Sequence, residues 1–184
     1  MLVSAEISTP LGPMTAIVNE RGLLLCEFAD RPMLPEQLNR VLKLFGALPV
    51  PGPHEYIDQT QEELDEYFAG KRETFTIPLV IDGTPFQESV WRELLTISFG
   101  TTTSYDQIAK RVGKSGAARA VGRANGDNRI AIIVPCHRVI GTDGGLTGYG
   151  GGQRRKRWLL NHEARGMQMS FASLDDQASL PLAP

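Results

Sequence analysis

A cysteine followed directly by a histidine is the pair of side chains in this sequence best suited to covalent chemistry. Cys136 and His137 follow Pro135 at the end of the apolar run 130–134. A thiolate is a strong nucleophile, but a free cysteine is scarcely ionised at neutral pH, so it needs a base or a positive field nearby. Because neighbouring side chains on an extended chain point to opposite sides, we expect the two to communicate through a turn or a bridging water.

Glu163, near the end of the last predicted helix, stands where it could orient the imidazole of His137. The spacing leaves a second interpretation open, in which Cys136 is a buried, inert thiol beside a surface histidine. A metal site is not expected, because the cysteines and histidines show no paired spacing typical of ligands. The glycine-rich loop 141–152 lacks the Gly-Lys-Ser/Thr ending of a phosphate cradle and does not indicate nucleotide binding.

A second group of residues is suited to contacting phosphates. Ser104 to Gln107 form a Ser-x-x-Gln capping box that predicts a helix start, and a short glycine-containing connection leads to another helix, as in a helix-turn-helix. Arg119 and Arg123 lie one turn apart on that second helix, whose other residues are small, and residues 154–157 (Arg-Arg-Lys-Arg) add a basic cluster. Together they predict a phosphate-contacting surface. Two helices at this angle also occur in enzymes that bind no DNA.

The elements that must position these residues change in type along the chain. Alternating apolar residues and turn signals predict strands, and apolar residues at helical spacing predict helices. The predicted strands span 2–7, 14–18, 23–28 and 75–81, the last as an edge strand because of Pro78. Two predicted helices span 36–45 and 57–69, and a third begins at Thr84-Pro85. The two helices of the helix-turn-helix follow, and a last helix is predicted over about 153–164, with Gly166 as its end. Residues 130–134 are predicted to be a buried extended run. The fold class is therefore α+β.

The distribution of charge divides the chain at Asp82-Gly83. Residues 1–83 carry 6 Lys and Arg against 13 Asp and Glu, and residues 84–166 carry 13 against 6, so their net charges are −7 and +7. We expect a β-rich structural domain over 1–83, a helical domain over 84–166 and a flexible acidic tail over 167–184. A basic half favours a polyanionic partner, although a chance imbalance between solvated faces gives the same count.

Composition excludes several classes of protein. With 184 residues, of which 41% are hydrophobic, the chain can bury a core without a disulfide framework. Its longest apolar run is too short to cross a bilayer, so no membrane partner is expected. Two cysteines and no visible secretory signal predict a cytoplasmic protein with free thiols.

Several runs of residues resemble the O6-alkylguanine-DNA alkyltransferases. The most specific is Ile-Val-Pro-Cys-His-Arg-Val-Ile at 133–140, with Arg-Ala-Val-Gly at 119–122 and Asn128 at matching spacing upstream. The series is completed by Thr-Pro-Phe-Gln at 84–87, Ser104-Tyr105, Leu-Thr-Gly-Tyr at 146–149 and Trp-Leu-Leu-x-His-Glu at 158–163. The resemblance is dense over 84–166, and the N-terminal part is similar to the small β-rich, ribonuclease H-like domain of the same family.

The resemblance implies direct repair of O6-alkylguanine, and of O4-alkylthymine, in double-stranded DNA without a cofactor. Cys136 would attack the alkyl carbon in an SN2 step and keep the group as a thioether, so each molecule would act once. The protein would bind the minor groove and flip the base out, because a substituent inside the stack cannot meet a nucleophile in line. It would act as a monomer, with cooperative binding along DNA left open.

The same resemblance implies roles for individual residues. His137 would be the base, acting through a water, with Glu163 holding it. Asn128 would support the network behind the cysteine, and Tyr105 would neutralise the departing guanine near N3. The base pocket would be lined by Tyr149, Gly150, Val139 and Pro135. The DNA contacts would come from Ser104, Ala117, Ala118, Arg119, Ala120, Gly122 and Arg123, with Arg119 filling the gap left by the flipped nucleotide.

Two positions depart from the family pattern. Arg129 stands where proline usually follows the asparagine, and would either loosen the turn or add a phosphate contact. Gly150 stands where some members have serine, so only a backbone amide would remain to contact O6.

Three other functions are weighed against repair. A non-catalytic lesion-binding protein would carry tryptophan in place of Cys136. A cysteine hydrolase would use Cys136, His137 and Glu163 for acyl transfer and would need an oxyanion hole. A DNA-binding regulator would use the helix-turn-helix alone and would not depend on the cysteine.

Overall fold

The N-terminal region is built on a four-stranded sheet. The computed structural model describes residues 1–146 and 148–178, with side chains up to Met167. The strands are β1 (Val3–Ile7), β2 (Met14–Asn19), β3 (Gly22–Phe28) and β4 (Val50–Pro51). Their order is β3-β2-β1-β4, antiparallel except for the parallel pair of β1 and β4. Strand β3 lies at one edge of the sheet, yet it is buried along its whole length, because single β-bridges to Leu79 and Ile130 cover its outer side.

Two helices pack against this sheet. Helix α1 (Leu34–Phe45) has a proline in its first turn and ends at Gly46, whose φ of 64° is the left-handed conformation that glycine adopts without strain. Helix α2 (Glu55–Phe68) begins at His54, whose ring accepts a hydrogen bond from the Tyr56 amide. Both helices were predicted to within about two residues. The short strand β4 lies in the segment predicted to be a proline-rich loop.

The predicted strand over 75–81 is wrong. Only the single bridge of Leu79 to β3 is formed there. The carboxylate of Glu63 accepts hydrogen bonds from the amides of Thr76 and Ile77, which are donors that a strand partner would otherwise use. Pro78 has no amide to donate, and its carbonyl accepts from Leu23. The alternating apolar residues therefore pack as an irregular segment.

The C-terminal region is helical. Its elements are α3 (Pro85–Leu94), β5 (Thr103–Ser104), α4 (Tyr105–Arg111), α5 (Ala118–Gly126), a one-turn 3₁₀ helix (Cys136–Arg138), β6 (Val139–Ile140) and α6 (Gln153–Ala178). Helix α3 begins with the predicted Thr84 cap, and Gln87 completes a reciprocal capping box. Ser104 caps α4 by accepting from the Gln107 amide, as predicted, while the Gln107 side chain accepts from the Thr103 hydroxyl instead. Helices α4 and α5 form the predicted helix-turn-helix.

The apolar run 130–134 is buried but not extended, so this prediction is wrong in its conformation. The Val134 amide bonds back to the Ile130 carbonyl, which closes a turn. Ile132, inside that turn, has a φ of +71°. A β-branched residue in the left-handed region carries strain of roughly 1–3 kcal/mol and persists only where its surroundings enforce it. This strained turn leads directly into Pro135 and the 3₁₀ helix of Cys136.

Helix α6 is longer than predicted and continues through Gly166 to Ala178. Residues 167–178, predicted as part of a flexible tail, are therefore helical, and 179–184 lie outside the described residues. The prediction missed this because a single glycine weakens a helix by only about 1 kcal/mol and does not stop it.

One hydrophobic core joins the two regions. It contains Phe28 and Tyr67 from the N-terminal region together with Trp91, Val121 and Leu159 from the C-terminal region. The predicted α+β class, with a β-rich region followed by a helical region, is confirmed. Within the described part of the chain, no helix combines the length and the apolar character needed to cross a membrane.

Candidate active site

The Cys136 thiol is buried and held by an asparagine. The residue is 5% exposed, and its Sγ accepts a hydrogen bond of 3.0 Å from Asn128 Nδ2. The same amide group also donates to the carbonyl of Val134 at 3.0 Å, while Asn128 Oδ1 accepts from the Ile130 amide. Asn128 therefore ties the sulfur to the strained turn that precedes it. Burial raises the pKa of the thiol to about 11, and the Asn128 hydrogen bond opposes that rise.

His137 and Glu163 form a buried pair beside the cysteine. The two side chains are fully buried, and His137 Nε2 lies 2.8 Å from Glu163 Oε1. Because a carboxylate only accepts, Nε2 carries the proton in the neutral ring and Nδ1 has a free lone pair. Within the described residues, Nδ1 is buried without a hydrogen-bond partner. Burial lowers the pKa of His137 although Glu163 opposes the shift, so the ring is a neutral base at pH 7.

Glu163 accepts hydrogen bonds from several groups besides the histidine. Arg138 Nε donates to it at 2.9 Å, the Gly100 amide at 3.0 Å and the Tyr67 hydroxyl, from the N-terminal region, at 2.9 Å. Burial alone would raise the pKa of this carboxyl, but His137 and Arg138 lower it to about 2. The carboxylate is thus ionised and fixed in place, and it holds the imidazole in one orientation.

Lys156 is a site residue that the sequence analysis placed elsewhere. It was grouped with the surface cluster 154–157, but it is fully buried and its Nζ donates to the Val139 carbonyl at 2.5 Å. Burial lowers the pKa of its ammonium group to about 8, and the thiol of Cys136 opposes that shift. Helical spacing contained the signal, because Lys156 lies three residues before the buried Leu159 and seven before Glu163 on α6.

The predicted basic cluster 154–157 is therefore only partly exposed on the surface. Arg155 forms a two-bond ion pair with Asp30, donates to the Leu11 carbonyl and lies 4.0 Å from the centre of the Phe28 ring. It joins α6 to the N-terminal sheet. Arg154 and Arg157 are exposed. Two of the four predicted cations are thus bound to other parts of the protein and not presented to a partner.

A cavity of about 710 Å³ is connected to the site by Tyr149, which lines it and whose ring centre lies 6.4 Å from that of His137. Its walls include Arg31, Met33, Gly148, Tyr149 and Gly150. Of the predicted base-pocket residues, Tyr149 and Gly150 line this cavity. Pro135 lines a different cavity, and Val139 contributes the carbonyl bound by Lys156.

Tyr105 approaches this cavity over a glycine. A Cβ on Gly148 would lie 2.5 Å from the Tyr105 hydroxyl, and the φ of +76° at Gly148 also favours glycine. Burial, with the thiol of Cys136 as a smaller cause, raises the pKa of Tyr105 to about 12. The phenol therefore remains neutral and keeps its proton as a hydrogen-bond donor.

Except for Ser104, which lies at the start of α4, the predicted DNA-contacting residues lie on α5 or at its N-cap. Arg119, Ala120 and Arg123 are exposed; Ser104, Ala117, Ala118 and Gly122 are half-buried. Gly122 packs against the Tyr105 ring, so α5 lies directly on the residue that approaches the cavity. The Ser104 hydroxyl is occupied as the cap of α4.

Arg129, which replaces the usual proline, is buried between the two regions. It is 7% exposed, its Nε donates to the Leu24 carbonyl at 3.0 Å, and its guanidinium lies 5.8 Å from the centre of the Trp91 ring. The hydrogen bonds of Asn128 are formed beside it. Neither of the two alternatives from the sequence describes this position, where the arginine joins β3 to α3.

Comparison with known proteins gives matches along most of the chain. The family model described as 6-O-methylguanine DNA methyltransferase, DNA binding domain, matches residues 85–165, and that of the ribonuclease-like domain matches residues 2–81. A methylated-DNA–protein-cysteine methyltransferase of Shigella flexneri is 42% identical over 167 residues, covering 88% of this chain and 95% of the relative. One from Mycobacterium leprae is 42% identical over 175 residues, covering 95% of this chain and 100% of the relative.

Solved structures are similar over the same extent. The crystal structure of Mycobacterium tuberculosis O6-methylguanine methyltransferase has a TM-score of 0.78 and 43% identity, covering 90% of this chain and 94% of that one. The structure of Mycobacterium tuberculosis OGT in complex with DNA has a TM-score of 0.77 and 43% identity, covering 88% and 92%.

Proposed function

Because this chain belongs to the O6-methylguanine DNA methyltransferase family, we propose that it repairs O6-alkylguanine in DNA by transferring the alkyl group to its own Cys136. The observation that carries this proposal is the buried thiol held by Asn128 next to the His137–Glu163 pair. These side chains supply a nucleophile, a base and a group that orients the base. Tyr149, whose ring centre lies 6.4 Å from that of His137, also lines a cavity that could receive a flipped base.

The reaction is one displacement at carbon. The bond from Cys136 Sγ to the alkyl carbon forms as the bond from that carbon to guanine O6 breaks, and the electron pair stays with the guanine. The thiol gives up one proton and the guanine takes up one, so the step balances without a co-reactant. A thioether is not hydrolysed by water, so each molecule acts once.

His137 is the base for the thiol proton. Its Nδ1 lone pair is the free one, and a bridging water carries the proton from Cys136 to it. Glu163 stabilises the imidazolium that forms, since its carboxylate is ionised and 2.8 Å from Nε2. The neutral phenol of Tyr105 donates a hydrogen bond to the departing guanine near N3 and compensates the charge that develops on it.

The protein reaches the lesion through the minor groove. Small residues on α5 allow the helix to lie close to the groove, and the exposed Arg119 fills the space left by the flipped nucleotide. Flipping costs a few kcal/mol, and less for a poorly paired alkylated base. O4-alkylthymine presents the same kind of carbon and leaving oxygen and is a second substrate. The protein binds as a monomer.

Intact-mass measurement after mixing with a duplex that contains O6-methylguanine tests the proposal. We expect one added methylene mass per protein, on Cys136 by peptide mapping, and no further addition with excess duplex. Cys136→Ser is the matched variant and should gain no mass. Cys26 is an internal control, because it is fully buried in β3.

Other outcomes would point to other functions. Tight binding to the lesion with an unshifted mass would favour a lesion-binding protein. A repeated turnover of acyl substrates, with no mass gain from alkylated DNA, would favour the hydrolase. Sequence-specific binding that ignores the lesion and survives Cys136→Ser would favour the regulator.

A further inference from the structure

A buried arginine from the N-terminal region reaches the cysteine segment. Arg31 follows β3, and its side chain is 5% exposed. Its guanidinium pairs with Glu27, which is 1% exposed, and donates to the carbonyls of Gly126 and Asn128, the latter at 2.9 Å. Gly126 ends α5, and Asn128 holds the Cys136 sulfur. One side chain therefore binds both the end of the helix-turn-helix and the residue that positions the nucleophile.

The same guanidinium also lies against the opposite wall of the cavity. A Cβ built on Gly150 would overlap it, with Arg31 Nε 2.7 Å from that Cβ. The backbone of residue 150 can approach this closely only because glycine has no side chain. Arg31 and Gly150 thus occupy one shared space, and a side chain at 150 would displace the arginine from its partners.

We propose that Arg31 is a positioning residue for alkyl transfer, which fixes the Asn128 turn and the Gly150 loop relative to each other across the base cavity. This inference rests on the proposed function, since it concerns the same site. A serine at position 150 would meet the same overlap with Arg31. The planar fork of a guanidinium spreads its donors over two carbonyls and a carboxylate that lie apart, whereas a lysine offers its three donors from a single nitrogen.

Charge supports this arrangement. Glu27 is buried, and Arg31 is its nearest ion-pair partner at hydrogen-bond contact. Moving the arginine away leaves the buried Glu27 carboxylate with the Phe28 amide as its remaining donor among the described residues, which is costly for a buried charge. The arginine is therefore held in place from the N-terminal side while it holds the two C-terminal segments.

A double-mutant cycle tests the proposal. Gly150→Ala is made in the native chain and in a background without the charged pair, Glu27→Gln with Arg31→Ala. The single-turnover rate constant with free O6-benzylguanine is measured for each, and the reaction amplitude counts the competent molecules. We expect Gly150→Ala to slow the native protein about tenfold more than it slows the background, which is a coupling typical of residues in contact.

A matched control separates positioning from stability. Gly52→Ala adds a methyl group outside the cavity, where its Cβ would make an ordinary contact of 3.9 Å with a Val3 side-chain carbon. It should leave the rate constant unchanged in both backgrounds. If Arg31 were only a stabilising residue, its loss would lower the reaction amplitude and leave the rate constant of the reacting molecules as it was. That result, or equal slowing by Gly150→Ala in both backgrounds, would overturn the proposal.

The same proteins treated with iodoacetamide distinguish this inference from the proposed function. Iodoacetamide alkylates a thiol without recognising guanine, so its rate at Cys136 reports only how the sulfur is held. We expect the coupling there as well, because displacing Arg31 releases the Asn128 carbonyl. A native protein that gains no mass from the O6-methylguanine duplex but still shows this coupling would reject the repair function and keep the role of Arg31.

Discussion

At the level of single residues, the reactivity of Cys136 depends on its neighbours and not on its own ionisation. Burial raises the pKa of its thiol to about 11, so almost no thiolate exists at neutral pH. Lys156 and Arg31 provide positive charge nearby, but they do not offset burial. In the proposed reaction the proton therefore leaves as the alkyl group is transferred, and His137 is the neutral base that we propose takes it.

This arrangement predicts the pH dependence of alkyl transfer. His137 must be neutral to act, and burial lowers its pKa below the usual 6.5, so the native rate should stay level from pH 8 to below about 6.5 and fall at more acidic pH. In His137→Gln the rate should be lower and should rise about tenfold per pH unit towards the pKa of the thiol. Single-turnover rates with O6-benzylguanine measure both. A native rate that rises tenfold per unit between pH 7 and 9 would exclude His137 as the base.

Tyr67 is predicted to tune the same base from the other region. Its hydroxyl donates to Glu163 at 2.9 Å, and without that donor the carboxylate attracts the His137 proton more strongly. Tyr67→Phe should therefore shift the acidic limb of the rate profile to higher pH and cost about 1 kcal/mol of stability. Tyr56→Phe, on the same helix, is the control and should leave the limb in place. An unchanged limb in Tyr67→Phe would mean that the tyrosine serves stability alone.

Sequence predicted the parts of this site that lie close together in the chain. Cys136, His137 and Asn128 fall within ten residues of one another; the types of Cys136 and His137 suggested nucleophilic chemistry, and the family resemblance of the surrounding run suggested the role of Asn128. Tyr67 and Arg31 were missed because their partners lie 96 and 97 residues away. Such contacts depend on how the two regions pack, which residue spacing does not contain.

At the level of elements, α6 performs two tasks that its composition conceals. The run 154–157 is uniformly basic, yet its consecutive residues face different surroundings because a helix turns by 100° per residue. Lys156 faces the site, Arg155 binds the N-terminal sheet, and Arg154 and Arg157 face solvent. Charge counting treated the four as one surface, whereas burial distinguishes them.

Arg155 and its neighbour Arg154 should therefore respond differently to replacement. Arg155→Ala removes the bidentate pair with Asp30 and the contact with the Phe28 ring, so we expect a loss of about 1–2 kcal/mol in stability with DNA affinity nearly unchanged. Arg154→Ala should leave stability within about 0.5 kcal/mol. If it contacts phosphate, it should also reduce the salt dependence of DNA binding by about one charge. Chemical denaturation measures the stability of the two variants, and titration with salt measures their DNA binding. Equal losses of stability in the two variants would contradict the different roles of Arg155 and Arg154.

Helix α5 gives a prediction that separates chemistry from DNA engagement. Arg119→Ala should keep the native rate with free O6-benzylguanine, because the arginine is exposed on α5 and outside the buried site. It should slow repair of a duplex lesion by roughly tenfold or more, since the flipped state loses the side chain that fills the gap. Lys71→Ala, an exposed cation after α2, is the control on both substrates. Equal slowing on the two substrates would rule out the role of Arg119 in flipping.

The elements that sequence predicted best are those with local stop and start signals. Thr84, Ser104 and Gly46 end or begin helices through their own side chains or conformations, so their effect is visible in the sequence. The segments 75–81 and 130–134 were predicted wrongly because their apolar patterns fit a strand while their amides bond elsewhere. A pattern of alternating apolar residues predicts that a segment is buried. Its conformation depends on where its backbone amides and carbonyls find hydrogen-bond partners.

At the level of the whole molecule, the site is completed by both regions. The sheet edge of β3 supports the turn before Cys136 through the bridge of Cys26 to Ile130, and Tyr67 and Arg31 bind groups that hold the reactive residues. The N-terminal region thus carries no proposed reacting atom, yet it fixes the position of those that react. Such a shared core also means that a disturbance at the sulfur reaches both regions.

Alkylation of Cys136 is therefore predicted to destabilise the whole protein. Cys136 is 5% exposed and its sulfur lies 3.0 Å from Asn128 Nδ2, so an added carbon must displace packed neighbours. Overpacking of this kind costs about 1–3 kcal/mol. For a chain of this size that corresponds to a fall in Tm of roughly 2–12 °C. Thermal melts before and after stoichiometric reaction with O6-benzylguanine measure it, and Cys136→Ser treated alike should not change. A Tm that rises or stays level after alkylation would show that the site accommodates the group, and that the shared core does not transmit the disturbance.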